Sequence, residues 1–435
     1  MYLVSSFAIL LQDFVLVMSS ASLENFTTLV TGWVFSPRRT VTGMIVAAGM
    51  AGERHHSAYH RFFSFARWSL DTFGLTVFRT LEFWLGEGSI LVAIDDTLAR
   101  KRGLKVFGVG MHYDPQLSSR SKSVTRWSHN WVILGVIVRF PLWPDRPFTL
   151  PVLFRLYLNK KSAAKHRRAY RTRPELALEM LRVLCRSRPK RRFHAIADST
   201  YGGQSILAHL PPNCDLTSRL GLDARLYEAP PPRTGQKGRP RKRGLRLPSP
   251  EQMLQQRARR VTLDIYGRRQ QARLCDAQAR MYFVPDRPLR VVAVEALKGG
   301  RGQEAFYSTC YDATAEQVLT WYSWRWSIEQ TIHDSKQHLG FEEPQGWSRP
   351  AVERTAPVAM LLYSLIVHWF ASEGHRHYRP VERPWYRQKQ HASFADMLMT
   401  LRRESAREQV LSLGLSGAGS KKITQLLDHA LQLAA

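Results

Sequence analysis

The chain has 435 residues, with 63 Lys and Arg against 35 Asp and Glu, a net charge of +28. That length predicts two or three domains, and so basic a protein of ordinary hydrophobic content is expected to fold around cores and to meet a polyanion, most simply nucleic acid. No uncharged apolar run reaches about 18 residues, which argues against a membrane partner, and the four cysteines, Cys185, Cys214, Cys275 and Cys310, show no CxxC spacing for a zinc site or a disulfide framework. A reducing, cytoplasmic setting fits.

The opening stretch "MYLVSSFAILLQDFVLVMSS" is apolar, but it lacks a positive leading region and carries Asp13, so it reads as a helix rather than a signal peptide. Residues 1–86 as a whole read as helical, with apolar and aromatic side chains at three and four spacing in "SAYHRFFSFARWSLDTFGLTVFRTLEFWL". The histidine clusters "HHSAYH" (55–60) and "HRH" (375–377) have no cysteine partners and do not read as metal sites. Gly86 and Gly88 break the helical pattern. A short β-branched run, "SILVAIDDT", follows and is expected to be a buried central strand ending in two aspartates. Two further strands are expected at "NWVILGVIV" (130–138) and "FTLPVLFRLYL" (148–158). A helix is expected at 174–187, with Pro174 in its first turn. Then come a strand ending in an aspartate ("RFHAIADST", 192–200), a short helix ("GGQSILAHL") and a fifth strand ("CDLTSRL", 214–220).

The stretch from 221 to 305 opens with a Pro-, Gly- and Arg-rich loop and continues with β-like pieces, "VTLDIYG", "MYFV" and "LRVVAVEAL", so it is expected to be a β-rich insertion. Within it, "RTGQKGRPRKRG" (233–244) is either a solvated linker or a sequence-independent contact to DNA. Downstream, "AVERTAPVAMLLYSLIVHWF" (351–370) reads as a core helix, and a basic segment to about 391 leads to the helical "SFADMLMTLRRESAREQVLSL". No internal repeat is visible.

The segment "TWYSWRWSIEQTIHDSKQHLGFEE" from Thr320 to Glu343 reads as part of one helix that begins at a Thr314 cap and stops at Gly340. At roughly 100° per residue, Tyr322, Arg325, Glu329 and Lys336 fall within an arc of about 60°, with His333 beside it. Taken alone, such a face also suits a surface helix with charge pairs four residues apart. Trp321, Trp324 and Trp326 are expected to pack on the other faces. Metal-assisted phosphoryl chemistry needs hard oxygen ligands held together at the edge of a rigid sheet. Asp96 and Asp198 stand at matching strand ends, and adjacent parallel strands would bring both to one edge, with Glu329 as a third acid.

The spacing Tyr322-x2-Arg325-x3-Glu329-x6-Lys336, together with "AIDDT" and "IADSTYG", resembles the Tyr–Arg–Glu–Lys signature and aspartate strands of bacterial insertion-sequence DDE transposases over about residues 89–345. The resemblance implies an α/β fold: an RNase H-like mixed sheet flanked by helices, with a β-rich insertion; the helical N-terminal domain is expected from composition alone. The resemblance also implies a metal-binding triad of Asp96, Asp198 and Glu329, with Tyr322, Arg325 and Lys336 on DNA phosphates near the cut. Asp95 and Asp96 both stand where the first acid belongs; the family places it directly before Thr, which favours Asp96. Two divalent ions, Mg2+ or Mn2+, are implied. Water attack would free a 3′-OH at the element end, and that hydroxyl would attack the target. The implied partner is double-stranded DNA, at element ends and at the target, bound by a homodimer in the bacterial cytoplasm at the nucleoid. Phe306 and Tyr307 could stack on a flipped base or simply be buried. The expected division is 1–88 (helical, DNA-binding), 89–220 and 306–371 (catalytic core), 221–305 (insertion) and 372–435 (basic and helical tail). A metal-dependent nuclease that cuts without joining, and an inactive DNA-binding relative, are the competing readings.

Overall fold

The computed structural model describes residues 2–232, 241–265, 268–297, 302–380, 391–412 and Ile423. Most of the basic segment 233–244, and most of the tail beyond 412, therefore lie outside the described residues.

The N-terminal part is helical: α1 (Ser5–Gln12), α2 (Ser20–Phe35), α3 (Val41–Ala47), α4 (Ser57–Ser64) and α5 (Leu70–Leu81). The aromatic run across the last two is not continuous. Ser69 caps α5 by accepting from the Thr72 amide, and Trp68 in the break donates its indole N–H to the Phe62 carbonyl at 2.9 Å. Phe14, Phe26, Phe62 and Phe73 pack ring against ring beneath these helices. Helix α5 lies directly on the sheet. A Cβ at Gly74 would come within 1.8 Å of the Val152 carbonyl oxygen, so only glycine permits that approach.

Next come β1 (Ile90–Arg100), β2 (Gly110–Tyr113), β3 (Thr125–Val138), β4 (Phe148–Tyr157), α6 (Lys160–Lys165), α7 (Arg173–Ser187), β5 (Phe193–Ala197), α8 (Gln204–Leu207) and β6 (Cys214–Leu220). Thr172 and Glu175 close a capping box around Pro174 at the start of α7. The strand order β4-β3-β1-β5-β6 is antiparallel between β4 and β3 and between β3 and β1, and parallel from β1 through β5 to β6. This is an RNase H-like mixed sheet flanked by helices.

The sheet then extends through β7 (Leu226–Tyr227), β8 (Arg246–Leu247), α9 (Pro250–Arg257), β9 (Arg259–Ile265), β10 (Arg268–Met281), β11 (Val284–Ala296) and β12 (Gln303–Ser308). Strand β12 pairs antiparallel with β6, so this β-rich stretch continues the core sheet edge to edge. "MYFV" is not a strand of its own. Met281 ends β10, Val284 begins β11, and Tyr282 and Phe283 form the turn between them. The chain ends in α10 (Ala315–Trp324), α11 (Trp326–Leu339), α12 (Arg349–Ser372) and α13 (Phe394–Ser412). By length and composition α12 could cross a membrane, but it is almost wholly buried within the protein. Its Ser364 donates to the Pro151 carbonyl on β4 at 2.9 Å.

Four buried histidines among the described residues make the fold acid-sensitive: burial lowers His112 to about 4, and the other three pair with a neighbour. Burial holds His129 at about 3, and His194 and His368 at about 4, all below the ordinary 6.5. The partners of these three rings are the Phe107 carbonyl at 2.8 Å, the Thr217 hydroxyl at 2.7 Å and the Trp84 indole at 2.9 Å. A folded value below the unfolded one means stability present above pH 6.5 and lost as pH falls towards the folded value. The expected loss is about 1.4 kcal/mol per histidine per pH unit. Denaturant titrations between pH 7 and 4.5 should show a shallower fall for His368→Phe than for wild type; equal slopes would show that this histidine does not contribute.

Candidate active site

The two aspartates of β1 do not end the strand as expected. Parallel pairing with β5 stops at Ile94 and Ala197, but β1 runs on beside β3 to Arg100. The next register step after Ile94 and Ala197 is Asp95 and Asp198, at the point where β5 leaves the sheet and one side of β1 opens. Ligand sites of α/β sheets form at such edges. Alternation along the strand sends Asp95 and Asp96 to opposite faces, and their partners differ accordingly.

Asp95 faces the C-terminal helices. Its Oδ2 accepts from Arg325 Nη1 at 2.8 Å, and Arg325 Nη2 reaches Glu329 Oε1 at 2.8 Å. Asp96 faces α7. Its Oδ1 accepts from the Tyr201 hydroxyl at 2.7 Å, and its Oδ2 from Arg173 Nη1 at 2.8 Å and Asn130 Nδ2 at 3.1 Å. Asp198 caps a 3-10 turn over Ser199–Tyr201, accepting from the Thr200 amide at 2.9 Å. Ser218 donates to its carbonyl at 2.8 Å. Sequence reasoning passed over Tyr201, Arg173 and Asn130. The one available signal was Tyr201 three residues after Asp198, within "DSTYG".

The single helix expected from Thr314 to Gly340 is two. Thr314 does cap the first, and Gly340, at φ 64°, ends the second, but α10 and α11 meet at a turn on Arg325. Arg325 itself keeps helical dihedrals, φ −53° and ψ −33°, and pairs with Glu329 four residues on, so the step is a local tightening and those two residues stay on one face. Tyr322 is buried, with its ring 4.4 Å from that of Phe306. Lys336 donates to the Leu98 carbonyl on β1 at 2.7 Å and lies 3.6 Å from Glu342. Phe306 and Tyr307 are both buried, and the Tyr307 hydroxyl donates to Gly202 at 2.6 Å. Of the three tryptophans, Trp321 and Trp324 pack against the core, while Trp326 is largely exposed.

Burial, and then neighbouring acids, raise the proton affinity of two of the carboxylates, Asp95 and Asp198. Burial lifts Asp95 to about 7; Arg325 opposes the rise and Asp96 and Asp198 add to it. Burial, then Asp96, also lifts Asp198 above the usual carboxylate range, against the pull of Arg325. Burial works against the charge on Arg325, yet Asp95, Tyr322 and Glu329 hold its pKa above the ordinary value. Four acids and two arginines, Arg325 and Arg173, thus share one electrostatic neighbourhood at the opening of the sheet.

The model of the family described as DDE superfamily endonuclease matches residues 19–278. The chain belongs to the DDE superfamily endonucleases. No curated protein matches it. The match spans both aspartate strands and stops within β10, before the helix that carries Glu329. An endonuclease of this superfamily is an enzyme that acts on DNA, in accord with the net charge of +28.

The donor set fits a hard divalent cation in its chemistry. All four candidate ligands are carboxylates, the oxygen donors that Mg2+ and Mn2+ prefer; the proton affinities of Asp95 and Asp198 are raised mainly by burial and in smaller part by neighbouring negative charge, and a cation would relieve that second part. Among the described residues no three His, Cys, Asp or Glu side chains stand close enough together to hold an ion. The acids stand instead as arginine-bound groups, Asp95 and Glu329 on Arg325 and Asp96 on Arg173.

Lys336 offers a sharp test of what the second helix does. If its ammonium served DNA phosphates, Lys336→Ala would reduce the salt slope of endonuclease–DNA binding by about one unit. Its bond to Leu98 predicts instead an unchanged slope and a loss of stability of about 1–3 kcal/mol, because α11 loses its tie to β1. Filter binding across a salt series, with a denaturant titration beside it, separates the two.

Proposed function

We propose that this endonuclease is an insertion-sequence transposase, cleaving DNA at element ends and joining the freed 3′-OH to target DNA. The observation that supports this most is the convergence on one sheet opening of Asp95 and Asp198, in adjacent register, with Glu329 of the Tyr-x2-Arg-x3-Glu-x6-Lys segment linked to Asp95 through Arg325. In this reading Asp198 and Glu329, with Asp96 or its neighbour Asp95, would hold the ions. When bound, Mg2+ or Mn2+ would supply charge stabilisation at the phosphoryl group and a more acidic water.

The chain's own residues set the stage for that chemistry. Tyr201, Arg173 and Asn130 fix the Asp96 carboxylate through both oxygens. Lys336 seats α11 against β1 and so sets where Glu329 stands. Arg325 neutralises Asp95 and Glu329, and any contact it makes to a phosphate is made from that position, beside the acids. Tyr322 backs the guanidinium, which lies 5.6 Å from its ring centre. Phosphoryl transfer requires an in-line geometry, so rigid placement of acids and backbone matters more than any single nucleophile.

The test is incubation of the purified protein with its own flanking genomic DNA and Mg2+ or Mn2+, mapping cut ends and joined products. Site-specific nicks at element ends with strand-transfer products support the reading. Cuts without joined products would leave an endonuclease that does not transpose.

A further inference from the structure

The stretch from Lys160 to Arg173, "KKSAAKHRRAYRTR", holds seven Lys and Arg among 14 residues and no acid. It joins β4 to α7 and is pinned at both ends. At the near end, the Asn159 amide donates to the Met111 carbonyl at 3.1 Å, Ser162 donates to Val109 at 3.2 Å, and the Gly108 amide donates to His166 at 3.2 Å. At the far end, Arg173 lies 2.8 Å from Asp96.

Some exposed or half-buried arginines elsewhere face acids, as Arg188 does Glu82 and Arg192 does Asp215, and others, such as Arg182, face none among the described residues; what sets this stretch apart is the density of its cations beside Asp96. Here only Arg171 and Arg173 face acids. Lys161, Lys165, Arg167 and Arg168 are exposed and have no carboxylate partner among the described residues. Two placements are unfavourable in the isolated protein. Lys160 and Lys161 occupy the first turn of α6, the end of a helix that disfavours cations. Arg167 takes φ 51°, the described non-glycine residue in the left-handed region, where a side chain costs about 1–2 kcal/mol. Lys160 is partly offset by the Tyr170 ring, 5.6 Å from its ammonium; Lys161 and Arg167 have no acid partner among the described residues.

We propose that this arm is the track for the DNA backbone next to the cut, on the Asp96 side of the site. The inference rests on the DNA-cleaving reading above and adds to it the surface that holds the substrate. A fixed row of cations matches a duplex that carries one charge per about 1.7 Å of axis. Five residues separate Arg168 from Arg173, at most about 18 Å of chain. At about 3.4 Å per base pair, the phosphates held at Arg168 lie within about five base pairs of the acids. The partner is therefore the flank of the scissile phosphate, and the contact carries no base sequence information.

The experiment uses the full-length protein and duplex oligonucleotides that contain the mapped cut site. Binding is measured across a salt series for wild type, for a triple variant (Lys161→Ala, Lys165→Ala, Arg168→Ala) and for a control with two exposed cations removed from α7 and the loop after it (Arg182→Ala, Lys190→Ala). The slope of log K against log salt should shrink by about 2.7 in the triple variant, at about 0.9 per phosphate contact, and stay at the wild-type value in the control. Phosphate-ethylation interference within five base pairs of the cut should disappear in the triple variant alone. An unchanged slope in the triple variant, or an equal change in the control, would overturn the proposal. Wild-type protein that failed to bind duplex DNA at all would instead overturn the DNA-cleaving reading on which it rests. All five side chains are exposed, so a denaturation midpoint at the wild-type value shows that the fold survives.

Discussion

Asp198→Asn is expected to lower DNA cleavage by on the order of 10³-fold or more, as loss of a group that stabilises developing charge does, while duplex affinity stays near that of wild type. The residue sits one register step beyond the last parallel pair of β1 and β5, and its carboxyl is held above the usual range by burial and by Asp96. Asparagine keeps the shape and can still accept from the Thr200 amide, so the turn over Ser199–Tyr201 should persist. Glu329→Gln should behave alike. The pair Asp95→Asn and Asp96→Asn is the informative contrast. Asp96 has both oxygens occupied by Tyr201, Arg173 and Asn130, whereas Asp95 shares Arg325 with Glu329. Single-turnover cleavage, with binding measured in parallel, assigns each acid: any variant that cuts at the wild-type rate removes its residue from the site.

Where a segment's own chemistry decides its structure, the sequence was readable. "CDLTSRL" became β6 from Cys214 to Leu220, and the Thr172–Pro174 start of α7 and the Gly340 stop of α11 follow from capping and left-handed backbone alone. Where a distant partner decides, it was not. Strand β10, "RRQQARLCDAQARM", shows no clean alternation and exists because β9 and β11 pair along both its edges. The apolar "MYFV" became a turn because β10 and β11 fold back there. Residues 95–100 looked like the end of a strand because they turn polar; β3 keeps them in the sheet. The tightening at Arg325 carries no Gly or Pro signal. The guanidinium there stands between two acids that are 234 positions apart in the chain, Asp95 and Glu329, and no local pattern encodes that meeting. The acids themselves were legible, but their partners Tyr201, Arg173 and Asn130 became visible only once strands and helix were assembled.

Arg325→Met is expected to be the most destabilising single change at the site. The guanidinium is mostly buried, at 12% side-chain exposure, and holds Asp95 and Glu329 at 2.8 Å each. Removing one partner of a buried ion pair costs about 3–5 kcal/mol when the other charge stays buried alone; Asp95, already raised to about 7, can take up a proton and limit that cost. Glu329, at 36% exposure, can turn to water, so most of the cost should fall on Asp95, at 17%, and the low end of that range applies. The origin of the cost can be checked by adding Asp95→Asn. The double variant should recover part of the lost stability in a denaturant titration, because the stranded charge is gone; no recovery would place the cost in packing around Tyr322 instead. Arg325→Lys asks a different question of the same position. One ammonium cannot reproduce two parallel contacts from a planar fork, so Asp95 and Glu329 are no longer held together. Stability should fall less than in Arg325→Met, and DNA affinity should change little. Cleavage should still drop by about 10²-fold, the size of penalty a misplacement of about 1 Å brings to an in-line reaction. A lysine variant that cuts at the wild-type rate while remaining folded would show that the Asp95–Arg325–Glu329 bridge is a structural link and not part of how the acids are aimed.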